Sequence, residues 1–323
     1  MKPSPELSII IVNWNSKDYV RKCVQTVYAH TRGIAFEILV VDGASYDGCG
    51  EMLAREFPEV RFIQSEKNVG FARANNLGYE QSRGDCLLFL NPDTELSGPA
   101  INVLRAALLE LDHAGIVGAK LFNTDGSVQT SCIQAYPTIL NQLLDAEVLR
   151  MTFPRLSFWG IAPLFSPGEK PVAVQVLSGA CLMMRRPVFA QVARFSEEYF
   201  MYAEDLDLCY KVNRAGLKNY YVPAASLIHH GGGSSKPNQS AFSNVMMRES
   251  VYRFLTKVRG KWYGAIYRFS LGLSALGRLA LLSLVFPIKL VRGEMAATGE
   301  SFRKWTAILK WALGLQSWVA KYG

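Results

Sequence analysis

The sequence predicts an α/β protein, with a mostly parallel sheet flanked by helices and a helical, amphipathic C-terminal appendage. Three observations carry this expectation. Short β-rich apolar runs alternate with segments of helical period, the pattern of right-handed βαβ units. Three of those runs end abruptly in Asn or Asp, and parallel strands bring such ends to one edge of a sheet. The charge then changes character: residues 246–323 hold thirteen Lys or Arg against three Glu, in a chain of net charge +8.

In order, Leu7-Ser8-Ile9-Ile10-Ile11-Val12 is a strand-like run that stops at Asn13-Trp14-Asn15. Ser16 then stands where it can cap a helix whose apolar residues Val20, Cys23, Val24 and Val27 recur at helical spacing. Residues 36–41 read as a second strand, ending in Asp42-Gly43-Ala44-Ser45. A short helix around residues 51–56 and a strand near 60–63 follow. The segment Asn68-Val69-Gly70-Phe71-Ala72-Arg73-Ala74-Asn75-Asn76 opens the next helix. It leads through Gly84 to Leu87-Leu88-Phe89-Leu90, an unbroken apolar run of the kind found in strands covered on both faces. That run ends in Asn91-Pro92-Asp93-Thr94.

Further on, residues 101–111 fit an amphipathic helix and 116–122 a strand, while 137–171, rich in Pro and aromatics, is expected to be an insertion or mobile region. An apolar run over 174–186 is interrupted by Gly179, and Pro187 marks a helix start. Leu206, Cys209 and Tyr210 form the buried stripe of a helix, which puts Glu204 and Asp205 in its first turn, where the helix dipole favours anions. Leu227-Ile228 runs into His229-His230-Gly231-Gly232-Gly233-Ser234. The expected organisation is an α/β domain over 1–240 and a helical, basic, membrane-associating region over 241–323.

Composition excludes several classes. At 323 residues, half of them apolar, the chain can bury a sizeable core. Its six cysteines are scattered singly, against both a disulfide framework and a structural zinc site, and a reducing cytoplasmic setting is expected. No signal peptide is expected, because the start leads straight into a strand too short for a signal core. The first strand is followed by neither a phosphate-cradling Gly-Lys-Ser/Thr loop nor Gly-x-Gly-x-x-Gly, which argues against an NTPase or a dehydrogenase.

Each polar strand end has a plain structural reading beside the functional one. Asn-Pro-Asp is good turn chemistry, Asp42 can cap the turn before Asp47, and Glu204-Asp205 can be a solvated helix start. At the carboxyl edge of an α/β sheet, however, a carboxylate such as Asp93 is a natural anchor for a divalent cation carrying a diphosphate.

Taken in order, Ile11-Val12-Asn13-Trp14-Asn15, Val41-Asp42-Gly43-Ala44-Ser45-Tyr46-Asp47-Gly48, Asn68-Val69-Gly70-Phe71-Ala72, Leu90-Asn91-Pro92-Asp93-Thr94, Ser178-Gly179-Ala180, residues 200–207 and residues 229–234 form a specific set. Over roughly residues 7–235 the chain resembles the inverting glycosyltransferases of family 2, in their bacterial rhamnosyltransferase-like branch. The resemblance implies a GT-A-type, Rossmann-like fold and transfer of a sugar, L-rhamnose in that branch, from a dTDP- or UDP-sugar to a glycan or lipid-linked acceptor in cell-surface glycan synthesis. It implies that Asp42 recognises the donor's pyrimidine nucleoside, with Asn13 and Asn15 lining the same pocket and Asn68 and Asn75 contacting the donor. Asp93 matches the last acidic residue of the family's Asp-x-Asp motif, which holds Mg²⁺ or Mn²⁺, and His229 matches a histidine metal ligand. Asp205 matches the general base, with Glu204 helping to place the acceptor. Asn91 departs from the pattern, since a carboxylate often stands there; it can bond ribose or water but brings no charge.

Two alternatives remain at this point. A sugar nucleotidyltransferase shares the sheet style, but would usually show a Gly-rich basic N-terminal loop, which Asn13-Trp14-Asn15 is not. An inactive, membrane-bound sugar-nucleotide-binding module is the other, and Asn91 favours it.

The tail needs its own reading. Residues 269–291 approach the length of a span, yet Arg278 lies mid-run and Pro287 near its end, so a plain transmembrane helix is doubtful. Trp305, Ile308, Leu309, Ala312, Leu315, Trp318 and Val319 follow helical spacing, with Arg303, Lys304, Lys310 and Gln316 mostly off the stripe. Trp and Lys on an amphipathic helix suit a bilayer interface better than nucleic acid, and suggest a peripheral enzyme on the inner face of the plasma membrane. Packing in a core or pairing with a second copy is the competing reading of such a stripe.

Overall fold

In the computed structural model, which describes residues 4–144, 147–231, 241–291 and 295–322, apolar β-rich runs become the centre of one sheet. The chain begins β1 (Leu7–Asn13), α1 (Lys17–His30), β2 (Phe36–Asp42), α2 (Cys49–Glu56), β3 (Arg61–Gln64), α3 (Phe71–Gln81) and β4 (Cys86–Leu90). It continues through β5 (Thr94–Leu96), α4 (Ala100–Glu110), β6 (Ala114–Phe122) and β7 (Ile133–Gln134) to the short helices α5 (Ile139–Leu143) and α6 (Glu147–Thr152). Then come β8 (Val172–Val174), β9 (Val176–Leu177), β10 (Cys181–Arg185), α7 (Arg186–Gln191), α8 (Glu204–Arg214) and β11 (Lys218–His229). The tail forms α9 (Ala241–Arg259), α10 (Lys261–Val291) and α11 (Met295–Ala312).

The sheet runs β3-β2-β1-β4-β10-β6-β11-β5, with β8 also on β11. Its first four strands are parallel, as the βαβ pattern predicts, and every residue of β4 is buried. Beyond β4 the sheet is mixed. β10 enters antiparallel between β4 and β6, with Cys181 opposite Leu90, so its first residues lie at the carboxyl edge of the parallel strands. β5 pairs antiparallel with the end of β11, His229 opposite Thr94. These two reversals bring Gly179 and His229 to the edge already marked by Asn13, Asp42 and Asn91.

Ser16 occupies the cap position of α1, but its side chain does not cap. Its hydroxyl donates to Trp14 O at 3.0 Å, and the cap comes from the next loop. Asp47 Oδ2 accepts from Lys17 N at 2.9 Å and Oδ1 from Cys49 N at 3.1 Å, so one carboxylate caps both α1 and α2. The segment expected to be irregular, 137–171, carries local structure: a Thr138–Asn141 capping box starts α5, and a 3₁₀ turn spans Ala162–Phe165.

The chain divides into two compact units. One comprises Met1–Tyr136, Glu147–Phe200 and Glu204–Lys236; the other comprises Pro137–Ala146, Met201–Ala203 and Pro237–Gly323. In the second, Ile308 and Trp311 of α11 are buried, and Trp311 Nε1 donates to Glu249 Oε2 at 2.9 Å. Trp318 stacks on Phe242. Of the expected stripe, Ile308 and Val319 are buried in that unit, Trp305, Leu309, Ala312 and Trp318 are half-buried, and Leu315 is exposed. A further exposed apolar surface is on α10, which buries Tyr267, Leu271 and Ala275 and leaves Trp262, Ile266, Phe269, Leu273 and Leu276 in the open. Arg278 lies over the Trp305 ring at 4.4 Å and donates to Leu143 O, which accounts for a charge in mid-run. By length and composition, residues Lys261–Phe286 could cross a membrane, with a mean hydropathy of 1.8.

One glycine is required by both conformation and space. Gly70 has φ +84°, and a Cβ there would lie 2.2 Å from Phe200 O, the carbonyl that accepts from Phe71 N. Gly70→Ala is expected to cost at least about 2 kcal/mol in denaturant unfolding, from backbone strain and displacement of the 200 segment.

Candidate active site

Three groups meet at the carboxyl edge of the sheet. The first surrounds Asp42 at the end of β2. Parallel pairing sets Asn13 beside Asp42, and Asn13 Nδ2 donates to Asp42 Oδ2 at 2.6 Å. The following turn supplies Ser45 N and Oγ, and β3 supplies Gln64 Nε2 at 2.9 Å. Burial pulls this carboxyl up, but the donors from Ser45, Gln64 and Asn13 prevail and hold it below the ordinary aspartate range.

The second group follows from the register of β5 on β11. His229 Nε2 lies 3.3 Å from Asp93 Oδ1 and 3.4 Å from Asn91 Nδ2, and both His229 and Asp93 are largely buried. The other ring nitrogen, Nδ1, is 2.9 Å from Gln129 Oε1. An amide oxygen only accepts, so Nδ1 carries a hydrogen and the ring is held with Nε2 toward Asp93. Gln129 Nε2 also donates to His229 O at 2.6 Å, fixing the ring from both ends. Asp93 Oδ1 and His229 Nε2 are spaced much as neighbouring ligands of a divalent cation, which with bonds of about 2.1 Å lie about 3 Å apart. Asp93 and His229 therefore fit a shared divalent cation. Among the described residues no cluster of three or more His, Cys, Asp or Glu could hold a metal ion by itself.

The third group is Glu204-Asp205, in the first turn of α8 as expected. Tyr202 and Ala203 both have positive φ, a tight entry that turns the chain into the helix. Asp205 Oδ2 accepts from Gly179 N at 2.8 Å, and the neighbouring Ala180 O accepts from Asn91 N at 2.9 Å. A short backbone path thus links Asp205 to the Asn91–Asp93–His229 group. Burial raises the Asp205 carboxyl above the ordinary aspartate value against the lowering pull of the Gly179 and Leu206 N–H groups. Burial, and then the adjacent Asp205 charge, pushes Glu204 well above the usual glutamate range, and its Oε2 is buried without a partner.

Other expected residues sit differently. Asn68 accepts from Gly70 N at 3.0 Å and borders Gly43, close to the Asp42 turn. Asn75 is buried and donates to Phe71 O on its own helix. Asn15 is exposed at φ +52°. Gly232, Gly233 and Ser234 lie outside the described residues. Sequence reasoning missed Gln129, a lone Gln in a loop with no periodic signal, and Gln64, at the end of a short strand.

The sheet edge that gathers Asp42, the Asp93–His229 pair and Glu204-Asp205 belongs to an α/β fold of GT-A architecture. The chain belongs to glycosyl transferase family 2, whose profile matches residues 8–192. It is 32% identical over 260 residues to the N-acetylglucosaminyl-diphospho-decaprenol L-rhamnosyltransferase of Mycobacterium tuberculosis, covering 76% of this chain and 81% of that one. It is 24% identical over 263 residues to the rhamnosyltransferase WbbL of Escherichia coli K12, covering 78% and 93%. In fold it is similar to the mannosyltransferase PcManGT from Pyrobaculum calidifontis, solved with GDP-Man and Mn²⁺, at 15% identity, TM-score 0.56 and coverage of 98% and 87%.

The raised Asp205 carboxyl has a kinetic consequence. Were Asp205 to serve as a general base, it would work ionised, and turnover at saturating substrate would fall as pH drops through the raised value. The acid limb of the pH profile is expected above about 4, the ordinary aspartate value. A profile flat to that pH contradicts this setting for the base.

Proposed function

We propose that the chain transfers L-rhamnose or a related hexosyl group, with inversion, from a dTDP- or UDP-sugar to a lipid-linked or polysaccharide acceptor in cell-surface glycan synthesis. The observation that carries the reading is the backbone link from Asp205 through Gly179 and Ala180 to Asn91, which keeps base and cation pair on one sheet edge. The names of the two rhamnosyltransferase relatives support the sugar, and that of the mycobacterial one supports a diphospho-polyprenol acceptor.

In this reading Asp205 accepts the proton of the acceptor hydroxyl as that oxygen attacks the anomeric carbon. The Gly179 N–H keeps the carboxylate turned toward the acceptor. Glu204 holds its proton longer than an exposed glutamate and helps to place the acceptor. Asp93 and His229 would hold Mg²⁺ or Mn²⁺, which when bound neutralises charge on the departing diphosphate. Asn91 bonds the donor without adding charge.

We further propose that α10 attaches the enzyme to the cytoplasmic face of the membrane that carries such an acceptor. Its exposed Trp262, Phe269 and Leu273, in a tail rich in Lys and Arg, suit an anionic bilayer surface.

Two variants separate the chemistry from binding. Asp205→Asn is expected to lower transfer by about 10²–10⁴ while donor affinity, read by calorimetry, stays near wild type. Asp93→Ala is expected to remove the Mn²⁺-dependent part of donor affinity; unchanged affinity would sink the cation role. For the membrane, Phe269→Asp with Leu273→Asp is expected to abolish flotation with anionic vesicles at unchanged oligomeric mass. A fall in mass instead assigns the stripe to a second copy.

A further inference from the structure

Three consecutive residues in the middle of α9, Arg248, Glu249 and Ser250, are buried, and each bonds a different part of the second unit. Arg248 Nη1 donates to Gln142 Oε1 of α5 at 3.1 Å, and Glu249 Oε2 accepts from Trp311 Nε1 of α11 at 2.9 Å. Ser250 Oγ donates to Met201 O at 2.9 Å. A serine inside a helix often turns its hydroxyl to the carbonyl four residues back on the same helix. Ser283 of α10 does so with Leu279 O and Ser301 of α11 with Ala297 O, both at 3.0 Å. Ser250 instead spends its hydroxyl on the bend at 201–203.

That bend is strained. Tyr202 and Ala203, the two residues after Met201, have φ +66° and +64°. Two successive residues with side chains are thus held in the left-handed region against the usual preference, and such a stretch persists only where its surroundings fix it. Residues 201–203 belong to the second unit, and α8 starts at the next residue with Glu204 and Asp205. The direction in which α8 begins follows from the turn, and so does the aim of the Asp205 carboxylate, whose Oδ2 accepts from Gly179 N at 2.8 Å.

We propose that Ser250 is a positioning residue for sugar transfer: its hydroxyl clamps Met201 O, keeps the Tyr202–Ala203 turn left-handed, and so sets the Asp205 carboxylate where its proton transfer needs it. The proposal rests on the reading of Asp205 as the acceptor base. It gives the helical C-terminal unit a part in turnover that is separate from membrane attachment. A general base works within a hydrogen bond of the hydroxyl it deprotonates, and a misplacement of about 1 Å costs about a hundredfold in rate. In the same reading the donor is held from Asp42 and Asp93, so the loss falls on turnover and not on donor binding.

The test compares full-length Ser250→Ala, Ser301→Ala and the double variant Ser250→Ala/Ala203→Gly with wild type and with Asp205→Asn. The readouts are melting temperature, and kcat and donor KM with whichever of dTDP-L-rhamnose and the UDP-sugars the wild type turns over. Ser250→Ala is expected to melt within about 5 °C of wild type, to keep donor KM within about twofold, and to lose about ten- to a hundredfold in kcat. Ser301→Ala, the same change on a hydroxyl spent within its own helix, is expected to leave all three unchanged. Ala203→Gly is expected to return much of the kcat lost in Ser250→Ala, because glycine takes a positive φ without being held there. A merely structural role for Ser250 would show no such rescue. Wild-type kcat in Ser250→Ala beside an inactive Asp205→Asn overturns the proposal and leaves the base reading standing. A fall in donor affinity equal to the fall in kcat also overturns it, as a general loss of structure. If Asp205→Asn turns over like wild type, the base reading falls and takes the proposal with it.

Discussion

The pairing of β5 with the last residues of β11 is the constraint on which the site depends. With His229 opposite Thr94, the adjacent Asp93 meets the imidazole ring, and Gln129 locks that ring by bonding both its Nδ1 and its backbone carbonyl. A shift of one residue would turn His229 to the opposite face of the sheet and separate the pair. The reversed strand β10 makes a comparable contribution, because its antiparallel entry delivers the Gly179 N–H to Asp205. The mixed half of the sheet thus assembles the Asp93–His229 pair and positions Asp205, while the parallel half builds the surroundings of Asp42.

That division explains how much could be read from sequence. The parallel strands and their polar ends were legible because each is a local pattern: an apolar run, then Asn13, Asp42 or Asn91. The glycosyltransferase motifs were legible for the same reason. The antiparallel insertions were not, since β5 and β10 are short and their partners are distant in sequence, so no periodicity marks them. Gln129 and Gly179 matter through what they touch, Gln129 with its side-chain amide and Gly179 with its backbone N–H. The tail was less legible: of the stripe read through Trp305 and Ile308, Ile308 is buried in the second unit, Trp305 is half-buried and Leu315 is exposed, and a further open apolar face lies on α10. A stripe of apolar residues fixes that a face is covered, and only packing says by what.

Asn91 also looks different in place. Its amide nitrogen lies 3.4 Å from His229 Nε2, and its backbone N–H bonds Ala180 O. The residue therefore ties the cation pair to the strand that orients Asp205, whichever charge the family usually carries there. In the proposed function, an Asn in place of a carboxylate lowers the negative charge facing the donor's diphosphate and would leave cation binding more dependent on the donor itself.

The central claim is a single displacement driven by Asp205, with the donor held on the Asp93–His229 side. The configuration of the transferred sugar at its anomeric carbon tests this most directly, read by NMR on the first-formed product from a donor of known anomeric form. The account predicts an inverted centre. A retained centre would require either a covalent sugar–enzyme intermediate or attack from the leaving-group side, and would contradict the role given to Asp205.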